Sequence, residues 1–265
     1  MADLDRDEGR KAILRTERVS KAFGGLMAVN DLSLEVTPQT ITGLIGPNAA
    51  GKTTLFNLIS GMYEPDAGAI YFNRERIDAL PPHRISHKGI CRTFQITREL
   101  KLMTVLENLM LVPSGQDGES LLNTWFRPWR VRAQERELKE KALEVLRFVD
   151  LIDLKDEYAG NLSAGQKKLL ELARTMMADP QLILLDEPGA GVNPTLLKRL
   201  VKYIQRLAFE QGVTIFLIEH DMDLVMNICD PVIVMNSGEK LAEGPPDAIR
   251  RDPQVLEAYL GGQQR

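Results

Sequence analysis

The stretch Gly46-Pro47-Asn48-Ala49-Ala50-Gly51-Lys52-Thr53-Thr54 constrains the fold of this chain more than any other. It fits the pattern of a glycine, four residues, then Gly-Lys-Ser/Thr. An apolar run, Ile41 to Ile45, precedes it and a helix-compatible run, Leu55 to Ser60, follows, so strand, loop and helix come in the required order. A glycine-bearing turn into a helix N-terminus brings several backbone N–H groups onto one anion. Lys52 adds a full positive charge for the β- and γ-phosphates, and the Thr53 hydroxyl can ligate the Mg²⁺ that travels with ATP. An ordinary glycine-rich turn between strand and helix is the lesser reading.

A second constellation lies downstream. Leu182-Ile183-Leu184-Leu185 is a continuous apolar run, as expected of a strand buried on both faces, and it ends in Asp186-Glu187-Pro188. Carboxylates at the carboxyl end of a central strand lie where α/β sheets bind ligands. Asp186 is placed to hold Mg²⁺ directly or through water, and Glu187 to polarise a water against the γ-phosphorus. An acidic turn closing a strand is the common reading of Asp-Glu alone, and the phosphate loop upstream makes it the weaker one here.

The remaining pattern is strand–helix alternation. Apolar segments at 12–17, 32–36, 41–45, 69–72, 89–94, 182–185, 213–218 and 232–235 read as strands, with a helix expected over 194–207. From 99 to 177 the period is helical. This predicts an α/β core with a mainly parallel sheet and an inserted helical subdomain at about 96–178. The whole reads as one domain over 12–262, behind a polar tail at 1–11. A net charge of −4 argues against a dedicated nucleic-acid binder. The two cysteines, Cys91 and Cys229, stand far apart, in no metal-ligand spacing. No apolar run approaches the roughly 20 residues that span a bilayer, so a membrane role is expected to come through a partner.

Leu162-Ser163-Ala164-Gly165-Gln166 precedes another helical run. Locally it is a capping box, Ser163 at N-cap and Gln166 at N3. Ser163, a small residue and Gly165 at a helix N-terminus also make a second anion site, because the helix dipole and free N–H groups face outward. With the phosphate loop and Asp186-Glu187 in the same chain, the sequence resembles the ABC-type ATPases over nearly its whole length, and this stretch resembles their signature motif.

The resemblance implies an α/β P-loop ATPase core with an N-terminal antiparallel β subdomain beside the helical insert, and roles for further residues. Phe23 resembles the aromatic that stacks on adenine, though it reads nearly as well as a core aromatic. Gln95 resembles the glutamine that touches Mg²⁺ and the attacking water, and His220 the histidine that contacts the γ-phosphate. His83 and His87 read as solvated residues of a polar loop. The loop Ala190-Gly191-Val192-Asn193-Pro194 resembles the one that links two sites across a dimer. The stretches Phe23-Gly24-Gly25-Leu26, Arg92-Thr93-Phe94-Gln95, Glu219-His220-Asp221-Met222 and the closing Glu257-Ala258-Tyr259-Leu260-Gly261 are similar to those of branched-chain amino-acid importer ATPases. The lipopolysaccharide-export ATPase shares much of this pattern and is the first alternative. A soluble ABC ATPase is the second, although such proteins usually carry fused cassettes or a coiled-coil insertion.

The resemblance therefore implies ATP and Mg²⁺ as cofactors, with Thr53, Gln95 and Asp186 at the metal and Glu187, His220 and Gln95 at the attacking water. It also implies a second ATP-binding subunit, two membrane permease subunits met by about 96–111, and, indirectly, a periplasmic substrate-binding protein. The implied location is the cytoplasmic face of the inner membrane. Two positions depart from the family pattern. Ala49 and Ala164 stand where glycine is usual, and Ala49 is expected to weaken ATP binding. Trp125-Phe126-Arg127-Pro128-Trp129-Arg130-Val131-Arg132 interleaves aromatics with arginines and reads as a solvated or partner-facing loop of the helical insert.

Overall fold

The computed structural model describes residues 12–93, 99–116, 118, 125 and 127–260. It divides into two compact units, one of residues up to 92 with 181–189 and 204 onward, the other of 93–180 with 190–203.

The first unit holds two sheets. β1 (Leu14–Phe23), β2 (Leu26–Val36), β4 (Ala67–Phe72) and β5 (Glu75–Arg76) form an antiparallel sheet in the order β2-β1-β4-β5. β3 (Ile41–Ile45), β6 (Ile90–Arg92), β7 (Leu182–Asp186), β8 (Thr214–Ile218), β9 (Val232–Asn236) and β10 (Glu239–Gly244) form the other, in the order β10-β9-β3-β8-β7-β6. All its neighbours pair in parallel except β9 with β10. Every residue of β3, β7 and β8 is buried, which is why these strands read as unbroken apolar runs rather than alternations. One apolar core joins the two sheets, from Leu14, Val36 and Phe72 to Leu44, Leu184 and Phe216. Helix α1 (Lys52–Ile59) contributes Leu55, Phe56, Leu58 and Ile59 to the same core.

Gly43, in the middle of β3, has a packing reason. A Cβ there would lie 2.9 Å from Val225 Cγ1 and 3.1 Å from Cys229 Sγ, so only glycine admits the helix at Met222–Ile228 this close to the strand.

The second unit is helical: α3 (Val105–Met110), α4 (Pro128–Phe148), α5 (Ala164–Met177) and the first part of α6 (Pro194–Phe209), whose last turns belong to the first unit. Thr104 and Glu107 form a capping box on α3, and Asn193 Oδ1 accepts the Leu196 N–H at 3.0 Å at the start of α6. Asn108, only 1% exposed, donates to the carbonyls of Leu100, Met103 and Thr104 and accepts the Leu100 N–H, satisfying an otherwise costly buried amide.

Three local expectations are corrected. His83 and His87 are exposed as expected, but they sit on a short helix, α2 (Pro82–His87), rather than in a loop. Pro82 at the first helical position starts it and buried Ile85 anchors it. The stretch from Trp125 to Arg132 is not all loop: α4 begins at Pro128, so Trp129 stands on its first turn, 66% exposed, while Trp125 is 85% exposed. β1 and β2 are longer than their apolar segments, since pairing to each other and to β4 carries the polar stretch Arg18–Lys21 as strand.

Neither Cys91 nor Cys229 forms a disulfide, both are buried, and burial pushes the Cys229 thiol up to about 12. The native chain is therefore expected to leave Cys229 unreacted with Ellman's reagent at mildly alkaline pH. Both thiols should react once the chain is unfolded, and the absorbance yield with and without denaturant checks this.

Candidate functional site

Four adjacent parallel strands, β6, β7, β8 and β3, end on the same side of the sheet. Their carboxyl ends deliver Arg92, Asp186-Glu187, Glu219-His220 and Gly46 respectively, the edge at which open α/β sheets bind ligands.

The loop after β3 turns back over this edge. Gly46 has φ +150° and Gly51 φ +99°; a Cβ on Gly46 would fall 2.1 Å from the Met235 carbonyl oxygen, and one on Gly51 2.2 Å from that of Ala28. Neither position admits another residue without displacing backbone. Pro47 is half-buried, Asn48 and Ala49 are exposed, and Ala50 is buried, its carbonyl accepting the Gly238 N–H. Gly51 caps α1 without a side-chain bond, so Lys52, Thr53 and Thr54 open the helix with N–H groups that have no intrahelical acceptor. Lys52 is buried, and its ammonium donates to the carbonyls of Gly46 at 2.8 Å and Pro47 at 2.9 Å. Burial lowers its pKa, while the charges of Glu187 and Asp186 pull it back up.

Asp186 is 2% exposed. Its Oδ2 accepts from Arg92 Nη2 at 2.8 Å, whereas its Oδ1 is buried with no hydrogen-bond partner. An orphaned anionic oxygen is costly unless a cation or a cation-bound water satisfies it, so the donor set here fits Mg²⁺. Glu187 follows with φ +50°, a left-handed backbone for a residue that rarely adopts one, held by its N–H donating to the Ile218 carbonyl at 2.9 Å. His220 Nε2 lies 2.9 Å from Glu187 Oε1. A proton on that nitrogen donates to the carboxylate and fixes its direction.

Further contacts here were not read from the sequence. Glu219 is 5% exposed and accepts the backbone N–H groups of Gly189 at 2.6 Å and His220 at 3.1 Å. It thereby fastens the turns that carry Glu187 and His220. Burial raises its carboxyl pKa, and backbone donors oppose the rise. Tyr259, on the terminal helix Pro253–Leu260, has its hydroxyl pushed up by burial and takes a hydrogen bond from the backbone of Gly46. Phe23 is 43% exposed, meets Tyr63 edge-on at 5.2 Å and has the Lys21 ammonium 5.8 Å over its ring, which removes the core-aromatic reading. Gln95 lies outside the described residues.

In the second unit the capping box forms as expected: Gln166 N–H donates to Ser163 Oγ at 3.3 Å, and Ser163 N–H to Gln166 Oε1 at 2.9 Å. Ser163 is exposed at the N-terminus of α5. Beside it a groove of about 590 Å³ is lined by Gln166, Asn193, Thr195 and Arg199. Gly165 has a packing reason as well, since Leu196 Cδ2 lies only 1.6 Å from where its Cβ would stand.

Known proteins resemble this chain over nearly its whole length. The family model for ABC transporters matches residues 29–190, and that for branched-chain amino acid ATP-binding cassette transporters matches residues 239–264. The high-affinity branched-chain amino acid transport ATP-binding protein BraF of Pseudomonas aeruginosa is 43% identical, over 95% of this chain and 98% of its own. The probable counterpart LivG of Archaeoglobus fulgidus is 45% identical, over 95% and 96%. A crystal structure of an ATP-binding cassette of an ABC transporter, in its ADP conformation, matches with a TM-score of 0.81 at 40% identity, covering 95% of this chain and 99% of the other.

The chain belongs to the ABC transporter family. As an ATP-binding cassette of that family it hydrolyses ATP, and the described residues include no helix long and apolar enough to cross a membrane.

The cassette's departure at position 49 has a measurable consequence. Ala49 takes φ +62°, the left-handed region, where a Cβ costs about 1–2 kcal/mol. Ala49→Gly is expected to tighten ATP binding by about fivefold to thirtyfold, the factor matching that energy. Titrating ATP against both forms, with thermal unfolding alongside, checks it. Unchanged affinity with a raised Tm would show that folding rather than binding carries the strain.

Proposed function

We propose that this cassette powers uptake of branched-chain or related amino acids, bound peripherally at the cytoplasmic face of the inner membrane beneath two permease subunits. A periplasmic substrate-binding protein would act upstream of those permeases. The observation that carries the catalytic half is the hydrogen-bonded pair Glu187–His220 beside buried Lys52 and Asp186. The names of the relatives at 43% and 45% identity support the amino-acid half over lipopolysaccharide export.

Phosphoryl transfer to water needs positioning and charge neutralisation more than covalent chemistry. The loop N–H groups from Gly46 to Thr54 cradle the β- and γ-phosphates, and Lys52 releases its two carbonyl acceptors to meet them. Phe23 stacks on the adenine. The Thr53 hydroxyl, Asp186 Oδ1 and Gln95 would hold Mg²⁺, which supplies charge neutralisation at the phosphates. Glu187 accepts a proton from the attacking water, and His220, 2.9 Å from Oε1 of Glu187, fixes the direction of that carboxylate.

A cassette with one phosphate loop and an exposed signature helix suits head-to-tail pairing of two subunits. Ser163, Gly165 and Gln166 of one would then close on the ATP held by the other, where the α5 N-terminus faces negative charge. Closure on ATP and opening after hydrolysis would move the permeases.

Deleting the gene should abolish uptake of labelled leucine, isoleucine and valine, with wild type but not Lys52→Ala restoring it. Intact uptake in the deletion strain would reject the substrate assignment. In the purified cassette, Glu187→Gln should cut ATP turnover by roughly 10²–10⁴-fold, the usual worth of a positioned general base, while ATP binding persists. Near-normal turnover would move the base to another residue.

A further inference from the structure

Arg92 is the one charged residue of β6, and its side chain is 9% exposed. Its guanidinium is held on two elements at once. Nη2 donates to Asp186 Oδ2 at 2.8 Å, at the end of β7. Nη1 donates to Asn57 Oδ1 at 2.6 Å and Ser60 Oγ at 3.3 Å, on and just after α1, and the cationic carbon lies 5.7 Å from the centre of the Phe56 ring. The planar fork of arginine suits such a span, and a lysine ammonium does not.

The spacing along α1 gives the span its consequence. Thr53, Asn57 and Ser60 stand at i, i+4 and i+7, one stripe of the helix surface. Holding Asn57 and Ser60 therefore fixes the rotation of α1 about its axis, and with it the direction of the Thr53 hydroxyl. The same guanidinium occupies Oδ2 of Asp186 and leaves only Oδ1, the orphaned buried oxygen, facing the site. We propose that Arg92 is a positioning residue of the ATPase site, setting Thr53 and Asp186 relative to each other so that both can serve one Mg²⁺. This rests on the reading of Thr53 and Asp186 as the metal's side-chain ligands.

Charge alone predicts the opposite sign. Removing a cation beside a metal carboxylate should strengthen Mg²⁺ binding by Coulomb attraction, whereas losing the clamp should weaken it. Outer-shell partners of metal ligands are typically worth about tenfold to a hundredfold in metal affinity. The test is calorimetric titration of ATP into the full chain, once with Mg²⁺ and once with EDTA, for wild type, Arg92→Lys, Arg92→Gln and Asn57→Ala. Asn57→Ala removes one α1 contact but keeps the buried ion pair, so it reports on the clamp even where loss of Arg92 prevents folding.

The expected result is that the gain in ATP affinity on adding Mg²⁺ shrinks by about tenfold or more in both Arg92 variants. It should shrink less, in the same direction, in Asn57→Ala, with affinity in EDTA near wild type throughout. A larger Mg²⁺ gain in Arg92→Gln with a normal one in Arg92→Lys would overturn the proposal in favour of simple charge balance. A lowered Tm with the Mg²⁺ gain unchanged would reduce Arg92 to a packing role. A wild-type chain that binds ATP equally with and without Mg²⁺ would overturn the ligand reading of Thr53 and Asp186 itself, a failure visible before any variant is made.

Discussion

The burial of one ammonium group organises the site. Lys52 gives up water in a position where its neutral acceptors among the described residues are the carbonyls of Gly46 and Pro47, and where Asp186 and Glu187 supply the compensating field. A buried cation without such partners would be prohibitively unstable. Its acceptors exist because the loop doubles back on itself, and the loop can do so because Gly46 and Gly51 sit against backbone carbonyls with no room for a side chain. The compensating carboxylates arrive because β7 is parallel to β8 and β8 to β3. A flexible, exposed lysine would still attract phosphate, but a held one presents its charge at a fixed point and loses little freedom when the ligand binds.

How much of this was legible in the sequence depended on range. The phosphate loop, the Asp186-Glu187 turn and the Ser163–Gln166 capping box are short-range features whose residue types follow from local backbone needs, and they lie where the pattern put them. The apolar runs of β3, β7, β8 and β9 announced a parallel sheet because both faces are covered. β10 was silent, since an edge strand with the burial of Glu239–Gly244 has no apolar run to display. The polar half of β1 was silent for a related reason: its strand character comes from partners on both sides rather than from its own residues.

Long-range roles were illegible for a different reason. Arg92 shows in sequence only as a charge closing a short apolar strand, and its partners lie 35 and 94 positions away. Gly165 looked like a residue chosen for phosphate, and the structure adds Leu196 filling the space a Cβ would need. Glu219 reads as half of a motif, yet its carboxylate is the clasp on two turns. A single sequence states which residues are unusual, but it does not state which unusual residues meet.

Gly43 has a mechanical side. The helix at Met222–Ile228 starts two residues after His220, and it lies flush on the strand that leads into the phosphate loop, with Val225 and Cys229 where a Cβ would be. Close-packed surfaces transmit displacement rather than absorb it. His220, against Glu187, and the strand that leads to Lys52 are therefore braced by one packed contact, its closeness owed to a side chain that Gly43 lacks.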